Sequence, residues 1–147
     1  MPDKSKPIWL VFLDAEDNGN IPGWEWLLGS RYFVSKLETK PQAVILLDMI
    51  GDENLNIHIE RNSNIELSDE IWSTAQLLGY EKNFINTPKY SISDDHIPFI
   101  EAGIPAVDII DFDYPYWHTT ADTIDKISAD SLAIVGSTIL FWINQQN

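Results

Sequence analysis

Three short apolar runs along the chain each lead straight into acidic residues. Ile8 to Leu13 is followed by Asp14, Glu16 and Asp17. "AVILLD", residues 43–48, ends on an acid and continues to Gly51 and Asp52. "IPAVDII", residues 104–110, carries Asp108 and gives way to Asp111 and Asp113. Nearly continuous apolar runs predict strands covered on both faces of a sheet. "LNIHIER", residues 55–61, alternates instead and predicts a strand with one polar face. On that reading His58 is a solvent-facing polar residue.

Between the strands the period changes. Trp24, Leu27, Leu28, Tyr32 and Val34 give a broad apolar face and predict a helix over Trp24 to Leu37, after a loop broken by Gly19, Pro22 and Gly23. Leu67, Ile71, Ala75 and Leu78 fall at helical spacing, with Gly79 as the stop signal. "PKYSISDDHIPF" predicts a loop entering a short helix that ends near Gly103. Ser128 predicts the cap of a final apolar helix reaching about Asn144. Strands thus alternate with helices. The fold class expected is α/β: one domain over residues 1–147, built as a three-layer αβα sandwich on a mostly parallel or mixed sheet. In such sheets ligands bind beyond the carboxyl ends of the strands, which is where the acids gather.

Composition sharpens the picture in three ways. The net charge of −14, from 23 acids against nine Lys plus Arg, predicts no nucleic-acid partner and no anionic membrane surface. The absence of Cys removes disulfides, thiolate metal sites and Cys nucleophiles together. No apolar run reaches the roughly 18 residues of a membrane span. "MPDKSKP" at the start is not followed by the h-region of a secretory signal, so none is read and the compartment is not assigned.

Like charges crowded at a strand end repel one another and cost free energy to desolvate. Asp14, Glu16 and Asp17 are therefore either a solvated loop or the surroundings of a cation. Carboxylates with a nearby imidazole suit zinc, and paired acids at such a site divide metal binding from proton transfer. Of the three His, His118 in "YPYWHTTAD" is the best ligand, flanked by Trp117 and Thr119. His96 follows Asp94 and Asp95 and either orients them or caps the short helix. Ser30 lacks a nucleophile elbow, and no P-loop or GxGxxG is present. Trp72 and Trp142 are expected in the core. Trp24, Trp26 and Trp117 are left between core and cleft.

"FLDAED", "LLDMIGD", "DDHIPFIEAGIPAVDII" and "YWHTTAD", in that order, resemble the zinc exopeptidases of the M28 type, and most of all their glutaminyl cyclase branch. The resemblance runs from Ile8 to the final helix and implies a zinc exopeptidase or phosphorylase/hydrolase-like fold. It implies Glu16 as general acid/base, Asp17 and His118 as zinc ligands, and Trp117 beside the substrate pocket. Asp48 matches an acid that binds a second zinc in the aminopeptidases and hydrogen-bonds within the site in the cyclases. Asp94 matches the cyclase acid that completes that network. Asp108 stands where the animal cyclases have His. Family members also carry a preceding half, with a His-x-Asp segment that supplies a further zinc ligand. The chain is therefore expected to be the C-terminal portion of the fold, with N-terminal strands missing.

The function implied is that of a zinc-dependent metallopeptidase-type hydrolase acting on peptide N-termini. The alternatives are a glutaminyl-peptide cyclotransferase and a non-catalytic or partner-requiring fragment. The partner expected is a peptide or peptide-like substrate, and an uncovered sheet edge beside Ile8 to Leu13 predicts self-association.

Overall fold

The computed structural model describes residues 7–146, so the stretch read for a secretory signal lies almost wholly outside the described residues. Among the described residues, four strands and four α-helices follow one another: α1 (Leu28–Ser35), β1 (Val44–Asp48), β2 (Ile57–Ile59), α2 (Ile65–Leu77), β3 (Phe84–Pro88), α3 (Ile97–Glu101), β4 (Ala106–Ile110) and α4 (Ala129–Gln145). β1 and β4 pair in parallel, with Leu46 beside Asp108 and Asp48 beside Ile110. β2 and β3 form a second parallel pair, whose register shifts between His58 and Ile59.

The pleat of β4 explains the layering. Val107 and Ile109 point to one face, where they join Ile71, Trp72, Ala75, Val135 and Trp142 of α2 and α4. Ala106 points to the other face, with Phe99 and Ile104 and with Phe33, Val34 and Leu37 around α1. Helices thus cover both sides of parallel strands, as the αβα reading requires. Asp108 shares Ala106's face and is fully buried there. It lies within β4 rather than beyond its end.

The predicted stop at Gly79 and cap at Ser128 both act, and Asn64 adds a cap that was not predicted. Asn64 accepts the Leu67 amide at 2.9 Å to cap α2, and Gly79 turns the chain at φ 84° after it. Ser128 accepts the Ser131 amide at 3.3 Å at the start of α4. Trp72 and Trp142 are both buried.

Three expectations fail, each for a physical reason. Ile8 to Leu13 does not form a strand. No described strand lies beside it, and Leu10 and Phe12 are 86% and 96% exposed. An apolar run without a pairing partner has no ladder to join. The helix expected over Trp24 to Leu37 is shorter. Trp24 N–H closes a turn on Ile21 O at 3.0 Å, and Leu27 adopts a left-handed φ of 62°, so helical bonding starts only at Leu28. β3 was not anticipated, and the predicted loop takes in its last residue, Pro88; Asn86, Thr87 and Pro88 are exposed and hide its pattern. His58 is also less open than predicted. Its side chain is 16% exposed and its Nε2 lies 3.5 Å from Asp113.

Candidate active site

The site forms where the 14–17 loop, the end of β1 and the approach to α3 converge. Two backbone bonds tie the loop to α1: Leu27 N–H donates to Glu16 O at 2.9 Å, and Leu28 N–H to Ala15 O at 3.2 Å. Gly29 allows that approach, since a Cβ there would stand 2.2 Å from Asp14 O. Ala15, Met49 and His118 all adopt left-handed φ, at 55°, 47° and 55°. Such strain costs roughly 1–3 kcal/mol per residue and gathers at functional sites. These three residues adjoin Glu16, adjoin Asp48, and are His118 itself.

The electrostatics single out one acid cluster. Burial pushes the Glu16 carboxyl up to about 7, and the charges of Asp94, Asp95, Asp17 and Asp48 add to that. Burial raises Asp94 to about 6, helped by Asp48 and Asp95. Burial also raises Asp48, although bonds from the Met49 amide, at 2.9 Å, and from the Asp94 side chain oppose the shift. Asp48 and Asp94 are thus close enough for the charge of Asp48 to favour the protonated form of Asp94. Asp95 is raised by burial as well. Asp108 is pushed well above the carboxylate range by burial and by Asp94, Asp48, Glu60 and Asp95.

The structure therefore brings Glu16, Asp48 and Asp94 into one electrostatic unit. Asp95 and Asp108 belong to the same unit. Other acids near the strand ends hold turns instead. Asp111 accepts the Asn56 amide at 2.7 Å and the Asp113 amide at 3.1 Å, and burial lifts it to about 6. Asp113 is held below the usual carboxylate range by bonds from Lys89 and Tyr90. His96 is fully buried, makes no side-chain cap of α3, and meets Glu60 Oε2 at 3.2 Å. Glu60 went unnoticed in the sequence, because alternation places it on a polar face.

Trp117 and His118 are exposed and stacked, with ring centroids 4.2 Å apart and 20° between planes. Phe112 packs on Trp117 at 5.1 Å. Trp24 and Trp26 are also exposed. Asp17 is exposed. Among the described residues, no group of three or more His, Cys, Asp or Glu side chains is placed to hold a metal ion. Carboxylate and imidazole are the right donors for zinc, but a catalytic site uses three protein ligands. Asp17 and His118 alone do not make a zinc site that fits.

The profile of Peptidase family M28 matches residues 2–143. The glutaminyl-peptide cyclotransferase-like protein of Bos taurus is 29% identical over 140 residues, which are 78% of this chain and 36% of that protein. The glutaminyl cyclase of Porphyromonas gingivalis superposes with a TM-score of 0.85 at 32% identity, over 92% of this chain and 55% of that one. A Zn-dependent exopeptidase from Parabacteroides distasonis gives 0.83 at 32% identity, over 90% and 52%. The chain spans about half the length of such solved relatives, and less than half of the curated ones. A portion of an α/β zinc-exopeptidase-type fold, it belongs to Peptidase family M28.

Proposed function

We propose that this site serves N-terminal glutaminyl cyclisation, with zinc as its cofactor. The observation that carries the reading is the Glu16 carboxyl, raised to about 7 by burial and by the acid cluster that includes Asp94 and Asp48. Asp94, which matches the acid of the cyclase branch, stands in that cluster and favours the cyclase over two-metal aminopeptidase chemistry. The similarity to proteins named glutaminyl-peptide cyclotransferase and glutaminyl cyclase supports the same reading.

The proton accounting suits Glu16. The α-amine of an N-terminal Gln attacks its own γ-carboxamide carbon, forming a lactam C–N bond. The amine gives its proton to the Glu16 carboxylate. Glu16 then delivers it to the departing amide nitrogen, the old C–N bond breaks, and ammonia leaves. A carboxyl near 7 is populated in both forms at neutral pH, as a shuttle needs. Trp117, exposed and stacked on His118, offers a flat face to the substrate. Asp17 and His118 are the zinc donors this chain contributes. A third donor has to come from other polypeptide.

Aminopeptidase-type hydrolysis is the second reading, favoured by the Zn-dependent exopeptidase neighbour. There Glu16 takes its proton from water. The third is a fragment that needs a partner. The exposed run Ile8 to Phe12 supports it, as a surface on which further polypeptide or a second copy packs. Incubating the chain, joined to a preceding segment that supplies the third zinc donor, and zinc with a Gln-initiated peptide separates the three by mass spectrometry. Loss of ammonia is expected. Release of free Gln favours the peptidase, and an unchanged peptide favours the fragment. Glu16→Gln is expected to abolish either product while the fold is kept.

A further inference from the structure

Glu60 is 1% exposed at the end of β2 and lies outside the proposed reacting groups. Its carboxylate faces five donors. Oε1 accepts the Ile92 amide at 2.8 Å. Oε2 accepts the Asn62 amide at 2.9 Å, the Ser63 amide at 2.8 Å and the Ser63 hydroxyl at 3.0 Å, and meets His96 Nε2 at 3.2 Å. A carboxylate this deep needs such partners, because an unpaired buried charge is strongly unfavourable.

The placement of those donors is informative. Ile92 lies two residues before Asp94, and His96 lies one residue after Asp95. One carboxylate thus grips the chain on both sides of the acid pair. A second strut runs alongside, where Asn62 Nδ2 donates to Ile92 O at 2.9 Å. Before it, Lys89 N–H reaches Ile59 O at 3.1 Å and Arg61 N–H reaches Tyr90 O at 2.8 Å. Glu60 continues this lacing up to the site. His96 has no equal hold on its other side. Its Nδ1 is 3.8 Å from Asp108 Oδ2, beyond hydrogen-bond reach, and it finds no other partner among the described residues.

We propose that Glu60 is the positioning residue of the Asp94–Asp95 pair, acting through Ile92 and His96 to set where Asp94 meets Asp48. Its catalytic meaning rests on the function proposed above; the geometric claim does not. The ionised form of Glu60 is the one the site favours. Burial pushes its pKa up, but the bonds from His96 and from the Asn62 and Ile92 amides outweigh burial and lower it. A shorter acid keeps the charge and loses the span between Ile92 and His96. An amide keeps the span and turns an N–H₂ toward donors.

NMR on the 147-residue chain tests this without any need for turnover. One reporter is the His96 ring Nε2–H. The other is the Asp95 amide proton, which donates to Asp94 Oδ1 at 2.6 Å and so reads the Asp94 carboxyl. Glu60→Gln and Glu60→Asp are expected to move both signals upfield. Exchange of the Asp95 amide should quicken about tenfold, the loss of about one net hydrogen bond. Leu67→Ala, in α2 on the far side of β4, is the control for stability loss alone. It should lower the melting temperature and leave the Asp95 amide proton in place. An Asp95 amide unmoved in Glu60→Gln, or moved equally in Leu67→Ala, overturns the proposal. Should the Glu60 variants fail to fold, Ser63→Ala removes one donor to Glu60, together with the acceptor of the Asp108 amide at 2.9 Å, and is expected to give a smaller shift in the same direction. No shift there overturns the proposal too.

Discussion

Replacing Asp94 with Asn tests whether the acid cluster stores free energy. Burial and the Asp48 and Asp95 charges raise the Asp94 pKa from 3.8 to about 6. The folded chain then binds that proton more tightly than the unfolded chain does. The stability from this group is full below about pH 4 and is lost as pH rises through about 6. At about 1.36 kcal/mol per pKa unit, a rise of about two units means about 3 kcal/mol lost by pH 8. Solvent near the site screens part of this, so about 1–3 kcal/mol is the working range. Asn cannot ionise, yet it can accept the Asp95 amide and donate to Asp48. Asp94→Asn should therefore match the wild type near pH 4 and exceed it at pH 8. With an m-value of about 1–3 kcal/mol/M for urea, the midpoint should rise by about 1 M at pH 8. Urea titrations across that range give the answer. A variant that is less stable at pH 8, or that differs equally at every pH, would refute the stored repulsion.

Three further outcomes follow from the same geometry. Gly29→Ala should destabilise by about 1–3 kcal/mol despite alanine's helix preference, because its Cβ meets Asp14 O at 2.2 Å; thermal melts decide. Gly136→Ala, in α4 with nothing within 4 Å of its Cβ, should instead stabilise by about 0.5–1 kcal/mol in the same assay. Calorimetry should find only weak zinc binding by this chain, weaker still in His118→Ala. Tight stoichiometric binding would contradict the incomplete donor set.

Much of the layering was legible, because it follows from periodicity. Ile71, Ala75 and Leu78 predict α2 correctly, and the apolar runs at 43–48 and 104–110 predict β1 and β4. What was not legible depends on partners. Ile8 to Leu13 looks like a strand by composition, but strands are made by neighbours, and none lies beside it among the described residues. β3 is hidden for the converse reason. Its Asn86, Thr87 and Pro88 carry no apolar signal, and pairing with β2 decides its state. At the site, the motifs drew attention to Glu16, Asp48, Asp94, Asp17, Trp117 and His118. The structure gathers the first three and leaves Asp17 and His118 exposed. Glu60 had no signal, because an acid in an alternating strand reads as solvated until the segments covering it are known. Asp108 was seen as a departure from the animal cyclases. Its burial within β4 and its place in the cluster needed the fold.

The central claim is that Glu16 is a proton carrier poised near neutrality by burial and by its acidic neighbours. The most direct test is a pH titration of the Glu16 side-chain carboxyl carbon by NMR, assigned with Glu16→Gln. A midpoint at about 7, moving down in Asp94→Asn as one repelling charge is removed, is the predicted result. A midpoint near the ordinary value of 4.5, unchanged in Asp94→Asn, would contradict the account.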